Sequence, residues 1–403
     1  MIILLLYVVA SESNDNKNTI EFNTTVVTQH LVKKTINAST YHVILTNVVE
    51  IENNAFYECD QIRTIKLSET LLFIGDSAFG GCDNLTTITI PDKVNFIGED
   101  VFKGCINLNS INVMKNNEEY TNFNDDCVLY TKNMEKIICF PPNSNKDMFS
   151  IPSKVHEIGD DAFYKCTKLV SIEFHNNVSI IGPFAFSNCI KLESVIIPNS
   201  LTVIDDETFF GCAALKSVQF SEKSLVEEIN AGAFAECNNL VSITLPPNVI
   251  LIDIHAFYKC ENLKSVTILS NLDMIEELAF GCCHKLEHLC YCGSAEPKIK
   301  SNAFNHSDTL KLINVGFAYE KDTFGKFAVT KTENAAQMCF EREPTTSTSP
   351  EQNKGGLSNG AKAGIIIVVI VFASIFGILV FYIVYMSSLN KRHELMASLN
   401  LTL

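Results

Sequence analysis

Ten phenylalanines recur along the chain at an almost fixed interval, and this regularity constrains the fold more than any other feature. Successive members lie 23 to 25 residues apart, except for one interval of 61. Each has an isoleucine five residues before it, and nine have a cysteine three residues after it. A repeat of this length indicates a solenoid, in which each coil buries its apolar face against its neighbours. The ten are Phe56, Phe79, Phe102, Phe163, Phe186, Phe209, Phe234, Phe257, Phe280 and Phe304.

The repeat that spans residues 82–102 shows how one coil is built. Residues 85–90 alternate apolar and polar side chains, which predicts a short strand with Ile88 and Ile90 facing the core. Pro91 follows and ends the strand, because proline cannot donate to a sheet ladder. Stacking of such coils predicts eleven parallel strands, from residues 65–67 to 313–315, in a sheet on the order of 50 Å long.

A turn-forming residue follows the isoleucine of most repeats. Gly75, Gly98, Gly159 and Gly182 occupy this position, and aspartate or asparagine replaces glycine in the next three repeats. All three residue types tolerate left-handed backbone angles. The pattern therefore predicts a tight left-handed bend at this point of each coil.

The spacing Cys-x-x-Leu-x-x-Ile-x-Ile is that of a leucine-rich repeat. With Pro-x-x-Val-x-x-Ile-Gly-x-x-Ala-Phe-x-x-Cys appended, it closely resembles the BspA-type leucine-rich-repeat family of surface proteins in mucosal protists and oral bacteria. The resemblance covers residues 41–315. It implies a leucine-rich-repeat solenoid with a parallel β-sheet on one face and short turns or irregular segments on the other. It also implies a cell-surface role in adhesion or recognition.

The interval of 61 residues predicts an atypical coil at residues 114–148. Two short apolar segments, 127–130 and 136–139, flank a polar turn and predict a β-hairpin centred on Asn133. That centre would set Cys127 opposite Cys139, where facing residues on antiparallel strands come within disulfide reach. We therefore expect a disulfide between Cys127 and Cys139.

The other cysteines of the chain favour buried thiols over metal ligands. The chain has 15 cysteines, nine of which belong to the phenylalanine repeat, and no pair of CxxC motifs. Repeat cysteines would lie side by side and point into the core, which favours free thiols over bridges. We expect no metal and no cofactor. A bond from Cys339 to Cys290 or Cys292 could close a C-terminal cap at residues 316–340.

The two ends of the chain predict a membrane-anchored surface protein. Residues 1–10 resemble a short signal peptide, and 11–40 would form an N-terminal cap. Residues 341–362, rich in Ser, Thr, Pro and Gly, predict a stalk. Residues 363–386 predict one transmembrane helix in the lipid bilayer, because residues 365–386 form an uncharged apolar run long enough to span it. Basic residues follow, which places the tail 387–403 in the cytoplasm and the ectodomain outside the plasma membrane.

Secretion would expose five sequons to N-glycosylation, at Asn23, Asn37, Asn84, Asn177 and Asn305. The net charge of -15 argues against nucleic acid as a partner, because binding to phosphates relies on a basic surface. Phosphate-binding and catalytic motifs such as GxGxxG, HExxH and GxSxG are absent from the sequence. We therefore expect a protein that is not an enzyme.

Two columns of residues flank the first core residue of each strand. The column before it is nearly uniform in Ser and Thr, which favours a structural row. The column after it varies in charge and size, as expected where a regular scaffold discriminates a partner. We predict that this second column contacts an extracellular protein or glycan ligand on a host cell, a bacterium or matrix. The alternative is a coat or spacer protein with no specific ligand. The candidate contact residues are Lys66, Thr89, Asn112, Glu173, Ile196, Gln219, Thr244 and Thr267.

Overall fold

The alternating segment of each repeat forms a strand, and successive strands pair in parallel along one side of the solenoid, the front sheet. The computed structural model describes residues 7–9, 18–124 and 126–332. All eleven expected strands are present, each within a residue or two of its predicted position. The front strands are Thr19–Asn23, His42–Thr46, Thr64–Lys66, Thr87–Ile90, Ser110–Val113, Met148–Ser150, Ser171–Glu173, Ser194–Ile196, Ser217–Gln219, Ser242–Leu245, Ser265–Ile268, His288–Tyr291, Leu312–Gly316 and Phe327–Thr332.

The front sheet consists of three hydrogen-bonded pieces, which end after Ser110–Val113, after Ser217–Gln219 and at the C-terminal end. Its inward side chains form the core, as the alternation predicted: Ile88 and Ile90 are almost fully buried. Leu85, which precedes the strand, is buried as well. The apolar face that one coil cannot cover alone is thus covered by the next coil.

A second row of strands, the back sheet, lies where the sequence predicted short turns or irregular segments. It consists of three hydrogen-bonded pieces, and its strands pair in parallel except within the atypical coil. Every one of the ten isoleucines that precede the phenylalanines ends a two-residue back strand. Two-residue strands show no alternation of their own, so the sequence pattern could not reveal them. The back strands are Val26–Val27, Glu50–Ile51, Phe73–Ile74, Phe96–Ile97, Tyr120–Thr121, Leu129–Thr131, Lys136–Cys139, Glu157–Ile158, Ile180–Ile181, Val203–Ile204, Glu228–Ile229, Leu251–Ile252, Met274–Ile275 and Lys298–Ile299.

The phenylalanines lie in tight turns between the back and front strands. Neighbouring rings stack, as between Phe209 and Phe234, whose centroids lie 5.4 Å apart with an interplanar angle of 5°. The backbone of each turn bonds to the next coil: the Phe56 N–H donates to the Ala78 carbonyl at 2.8 Å. The residue two places after each of the ten phenylalanines has a left-handed backbone, as Glu58 does with φ of 58°.

The predicted left-handed bend at Gly75, Gly98, Gly159 and Gly182 is wrong, because the left-handed residues lie nearer the phenylalanine. At these glycines the requirement is close approach of the preceding coil. A Cβ built on Gly75 would lie 2.3 Å from Asn53 Oδ1 and 2.5 Å from the Asn53 backbone nitrogen. Glycine is therefore needed there for space between coils.

The atypical coil contains the predicted hairpin, formed by Leu129–Thr131 and Lys136–Cys139. Lys136–Cys139 also pairs in parallel with Glu157–Ile158 and so joins the back sheet. The interruption separates two core clusters, one that contains Val128 and one that contains Leu129. The hairpin therefore presents neighbouring residues to different cores.

Phe140 restores the phenylalanine stack in this coil, which sequence analysis had overlooked. It lies 23 residues before Phe163, and the two ring centroids are 4.9 Å apart with an interplanar angle of 22°. Its N–H donates to the Ala162 carbonyl at 2.7 Å, as in the regular coils. Ile137 lies three residues before Phe140 in place of the usual five, and this shortening hid the repeat.

The register of the hairpin contradicts the argument for a disulfide between Cys127 and Cys139. A bulge between Leu129 and Tyr130 shifts the pairing, so that Cys139 lies opposite Leu129. Cys139 is buried and carries a free thiol, and the Cys127 thiol points towards Asn112 Oδ1 at 4.0 Å. The expected bond is therefore not formed in this structure.

The solenoid begins earlier than the sequence suggested. Thr19–Asn23 pairs in parallel with His42–Thr46, so a coil already occupies part of the segment expected as an N-terminal cap. The helix Gln29–Thr35 takes the place of the phenylalanine turn in this coil, and Thr28 caps it by accepting from the Leu31 N–H at 3.1 Å. Tyr7–Val9, within the expected signal peptide, pairs antiparallel with Thr19–Asn23.

The C-terminal end of the front sheet is a hairpin within the segment expected as a cap. Thr323–Phe324 pairs antiparallel with Phe327–Thr332, which in turn pairs in parallel with Leu312–Gly316. The described part of the chain contains no helix long and apolar enough to span a bilayer. The predicted stalk, transmembrane helix, cytoplasmic tail and Cys339 lie outside the described residues.

Candidate binding surface

The second column of the sequence analysis, here called the contact column, runs along the outer face of the front sheet. Strand register aligns its members: Asn112 lies opposite Thr89, and Ile196 lies opposite Gln219. Thr244 likewise lies opposite Thr267. Within each piece of the front sheet, the parallel pairing of the strands thus aligns one sequence position per repeat in a row.

Seven of the eight predicted members of the contact column are exposed or half-buried. Lys66, Thr89, Glu173, Ile196 and Gln219 are exposed, and Ile196 retains 65% of its surface, unusual for an isoleucine. Two further members, Asn112 and Thr244, are half-buried.

Thr267 is only 4% exposed, so its assignment as a ligand contact is wrong. The accessible part of the contact column therefore ends at Thr244.

Sequence analysis missed members of the same row after the interruption and at the N-terminal end of the front sheet. Ser150 lies opposite Glu173, and its hydroxyl donates to Glu173 Oε2 at 2.6 Å. Towards the N-terminus, Ile44 lies opposite Lys66 and Glu21 lies opposite Ile44. The rung at residues 19–23 lacks the phenylalanine turn on which the repeat count relied, because the helix Gln29–Thr35 replaces it. Ile44 lies on the rung that precedes the Phe56 turn, and Ser150 lies within a strand that the sequence did predict.

The uniform Ser and Thr column next to it makes hydrogen bonds within the sheet. Thr87 Oγ1 and Ser110 Oγ lie 2.9 Å apart on adjacent strands, and Thr64 Oγ1 lies 2.8 Å from His42 Nδ1. These side chains satisfy one another across strands. This agrees with a structural row beside the contact column.

The asparagines of all five predicted glycosylation sequons are exposed, which glycosylation requires. Some of their side chains already make contacts: Asn84 Nδ2 donates to the Asp60 carbonyl at 2.7 Å. Glycosylation at Asn23, Asn37, Asn84, Asn177 and Asn305 stays a prediction.

The repeat cysteines are buried free thiols, as expected from their spacing. Most donate to the carbonyl of the phenylalanine in the preceding coil, as Cys212 does to Phe186 at 3.2 Å. Ser307, in the cysteine position of the last repeat, donates to the Phe280 carbonyl at 2.6 Å. Burial raises the pKa of Cys105 and of Cys283 to about 12, so these thiols stay protonated and unreactive at neutral pH.

We expect Cys212→Ala to lower the free energy of unfolding by about 0.5–1.5 kcal/mol, because it removes a buried hydrogen bond. Cys212→Ser retains a donor, as Ser307 does, and should lose less. Urea unfolding of the purified protein followed by circular dichroism measures both. Equal losses for the serine and alanine variants would show that the hydrogen bond contributes nothing.

Among the residues that the structure describes, no group of three or more His, Cys, Asp or Glu side chains could hold a metal ion. The contact column itself contains a lysine, a glutamate, amides, hydroxyls and an isoleucine. Such a mixture suits contact with a macromolecular surface by hydrogen bonds, charge and apolar area together.

A family model for the BspA type leucine rich repeat region matches residues 34–146, 136–226 and 222–336. Comparison with curated proteins finds no match. The hairpin coil at residues 114–148 lies within the matched region, so the interruption falls inside the repeat array.

Several solved structures of leucine-rich repeat proteins are similar to this chain. One from Eubacterium ventriosum is 22% identical over 72% of this chain and 82% of that chain, with a TM-score of 0.57. The pneumococcal vaccine antigen PcpA is 20% identical over 75% of this chain and 77% of its own, with a TM-score of 0.44. A leucine rich cell surface protein from Faecalibacterium prausnitzii is 22% identical over 69% of this chain and 91% of its own, with a TM-score of 0.36. The first of these supports the fold.

Proposed function

Because the chain belongs to the BspA-type leucine-rich repeat family, we propose that it is a surface protein that binds an extracellular protein or glycan through its contact column. Leucine-rich repeat proteins are generally non-enzymatic, and the proposed role is adhesion to, or recognition of, a host, bacterial or matrix macromolecule. No cofactor is involved in this role.

The observation that carries the proposal is the contrast between the contact column and the rest of the coil. Positions that repeat from coil to coil, such as Ile204, Phe209 and Cys212, are buried and serve packing. The accessible part of the contact column differs in chemistry at nearly every rung, from Lys66 to Glu173. A partner recognised by this surface would meet a specific order of side chains on a regular sheet.

The proposed location is the plasma membrane, with a single pass and the ectodomain outside. Support comes from the uncharged apolar run at residues 365–386 and the basic residues Lys391 and Arg392 directly after it. The solenoid would then project from the membrane on the stalk at residues 341–362. Its sequons would face the extracellular side.

Binding can be tested with purified full-length protein immobilised on beads and presented to epithelial cells, bacteria and matrix proteins. The proposal predicts attachment that saturates and that soluble protein competes away. Attachment that neither saturates nor competes, to every surface tested, would favour a coat or spacer protein.

A further inference from the structure

A cleft of about 450 Å³ opens where the regular stacking of coils is interrupted. Its walls come from the last regular coil before the interruption, with Phe96 and Asp100, and from the coil after it, with Asp161. Tyr120 and Lys136 from the atypical coil complete it. The volume falls within the range of about 300–1,000 Å³ that ligand pockets in proteins occupy.

The lining of this cleft is strongly acidic. Two lysines, Lys103 and Lys136, contribute positive charge, and both are already paired. Lys103 lies 2.8 Å from Asp161 and 3.7 Å from Asp100, and Lys136 lies 2.7 Å from Glu157. The excess of negative charge makes the cleft attractive to a cation. Its five carboxylates are Asp76, Glu99, Asp100, Asp160 and Asp161.

Asp161 is the most buried of these carboxylates. Its side chain is 5% exposed, and its Oδ1 atom has no hydrogen-bond donor among the residues that the structure describes. Burial, together with the neighbouring Asp100 carboxyl, raises the pKa of Asp161 well above the usual range of an aspartate. A raised pKa favours the protonated form, so the negative charge of the cleft comes from its other four carboxylates.

The exposed ring of Phe96 forms one edge of the cleft. The rings of Phe73 and Phe96 stack with centroids 4.4 Å apart and an interplanar angle of 5°. Phe96 lines the cleft and remains 43% exposed, although a phenylalanine normally avoids water. A flat aromatic face next to carboxylates favours a planar cation, which stacks on the ring while it forms ion pairs.

We propose that this cleft binds an arginine side chain from a basic segment of a partner protein. The guanidinium group would stack on Phe96 and pair with the carboxylates of Asp100 and Asp160. Arginine fits better than lysine because its planar fork matches both a ring face and a carboxylate. The negative excess favours arginine over a neutral sugar. No member of the contact column lines the cleft, so this site is independent of the proposed function.

The test measures binding of a fluorescein-labelled hexapeptide with three arginines to full-length protein by fluorescence anisotropy, at physiological salt. Citrulline replaces arginine in the control peptide, which keeps the shape and removes the charge. We expect saturable binding of the arginine peptide and about tenfold weaker binding after Phe96→Leu or after Asp100→Asn with Asp160→Asn. The unaltered protein should bind the citrulline peptide at least about tenfold more weakly than it binds the arginine peptide.

Matched variants separate the cleft from the general acidity of the protein. Phe317→Leu alters another exposed phenylalanine, and Glu261→Gln with Asp308→Asn removes two exposed charges in distant coils. Both should leave peptide binding within about twofold. Replacement of Lys66, Glu173 and Gln219 by alanine should also leave peptide binding unchanged. A result that contradicts the cleft proposal is therefore distinct from one that contradicts binding through the contact column.

Three results would overturn the proposal, given unchanged circular dichroism spectra for all variants. The first is an equal loss of binding in the cleft and matched variants. The second is equal binding of the arginine and citrulline peptides. The third is binding of a neutral trisaccharide that depends on Phe96 but not on Asp100 and Asp160, which would identify a glycan site.

Discussion

Phe209→Ala should lower the free energy of unfolding by about 3–5 kcal/mol. Phe209 is fully buried and stacks between Phe186 and Phe234, with both centroid distances at 5.4 Å. Alanine would leave a ring-sized cavity and interrupt the stack on both sides. Neighbouring coils cannot move together to fill this cavity, because the backbone hydrogen bonds between their turns fix the distance between them.

Urea unfolding followed by circular dichroism measures this loss, with Phe317→Ala as the control. Phe317 is 60% exposed, so its truncation should change stability by no more than about 0.5 kcal/mol. A melting or urea profile unchanged by Phe209→Ala would refute the packing role of the phenylalanine stack. Because repeat proteins unfold in neighbouring units, the transition should also broaden in the Phe209 variant.

Gly75→Ala should destabilise the solenoid by about 1–3 kcal/mol, because the added methyl group would overlap the preceding coil. Its Cβ would lie 2.5 Å from the Asn53 backbone nitrogen and 2.8 Å from the Glu52 carbonyl carbon. These are backbone atoms, so the clash cannot be relieved by a side-chain rotation. The back strands at Glu50–Ile51 and Phe73–Ile74 would have to separate.

Gly316→Ala provides the matched control for this substitution. Gly316 lies in the strand Leu312–Gly316, and a Cβ built on it meets nothing within 4 Å. Its replacement should be neutral or stabilise the protein by a few tenths of a kcal/mol, about the gain from reduced freedom of the unfolded chain. Equal unfolding midpoints for the Gly75 and Gly316 variants would contradict the close approach of the coils.

The front sheet was predictable because its signal is local and repeated. The alternation around Ile88 and Ile90, with Pro91 after it, recurs with small changes in every regular coil. The back sheet escaped detection because strands such as Phe73–Ile74 contain two residues and have no period. Phe140 escaped because the isoleucine before it is three residues away instead of five.

The candidate site was predictable in part, for the same reason. Register along the front sheet follows from the repeat, so the exposure of Lys66 and Gln219 was correctly expected. Thr267 is buried although Thr89, in the same repeat position, is exposed, so position in the repeat alone does not set exposure. The predicted disulfide between Cys127 and Cys139 is not formed, because a bulge between Leu129 and Tyr130 shifts the hairpin register. The cleft brings Asp100 and Asp161 together across the interruption, a proximity that spacing alone could not predict.

The most direct test of the proposed recognition role replaces Lys66, Glu173 and Gln219 by alanine together. The control replaces Lys191 and Glu261 by alanine, which removes the same charges from exposed positions outside the contact column. Both proteins are immobilised on beads and compared with the unaltered protein for saturable attachment to the surface that it binds. We predict that the triple variant loses attachment while the control retains it. Full attachment by the triple variant would contradict recognition through the contact column.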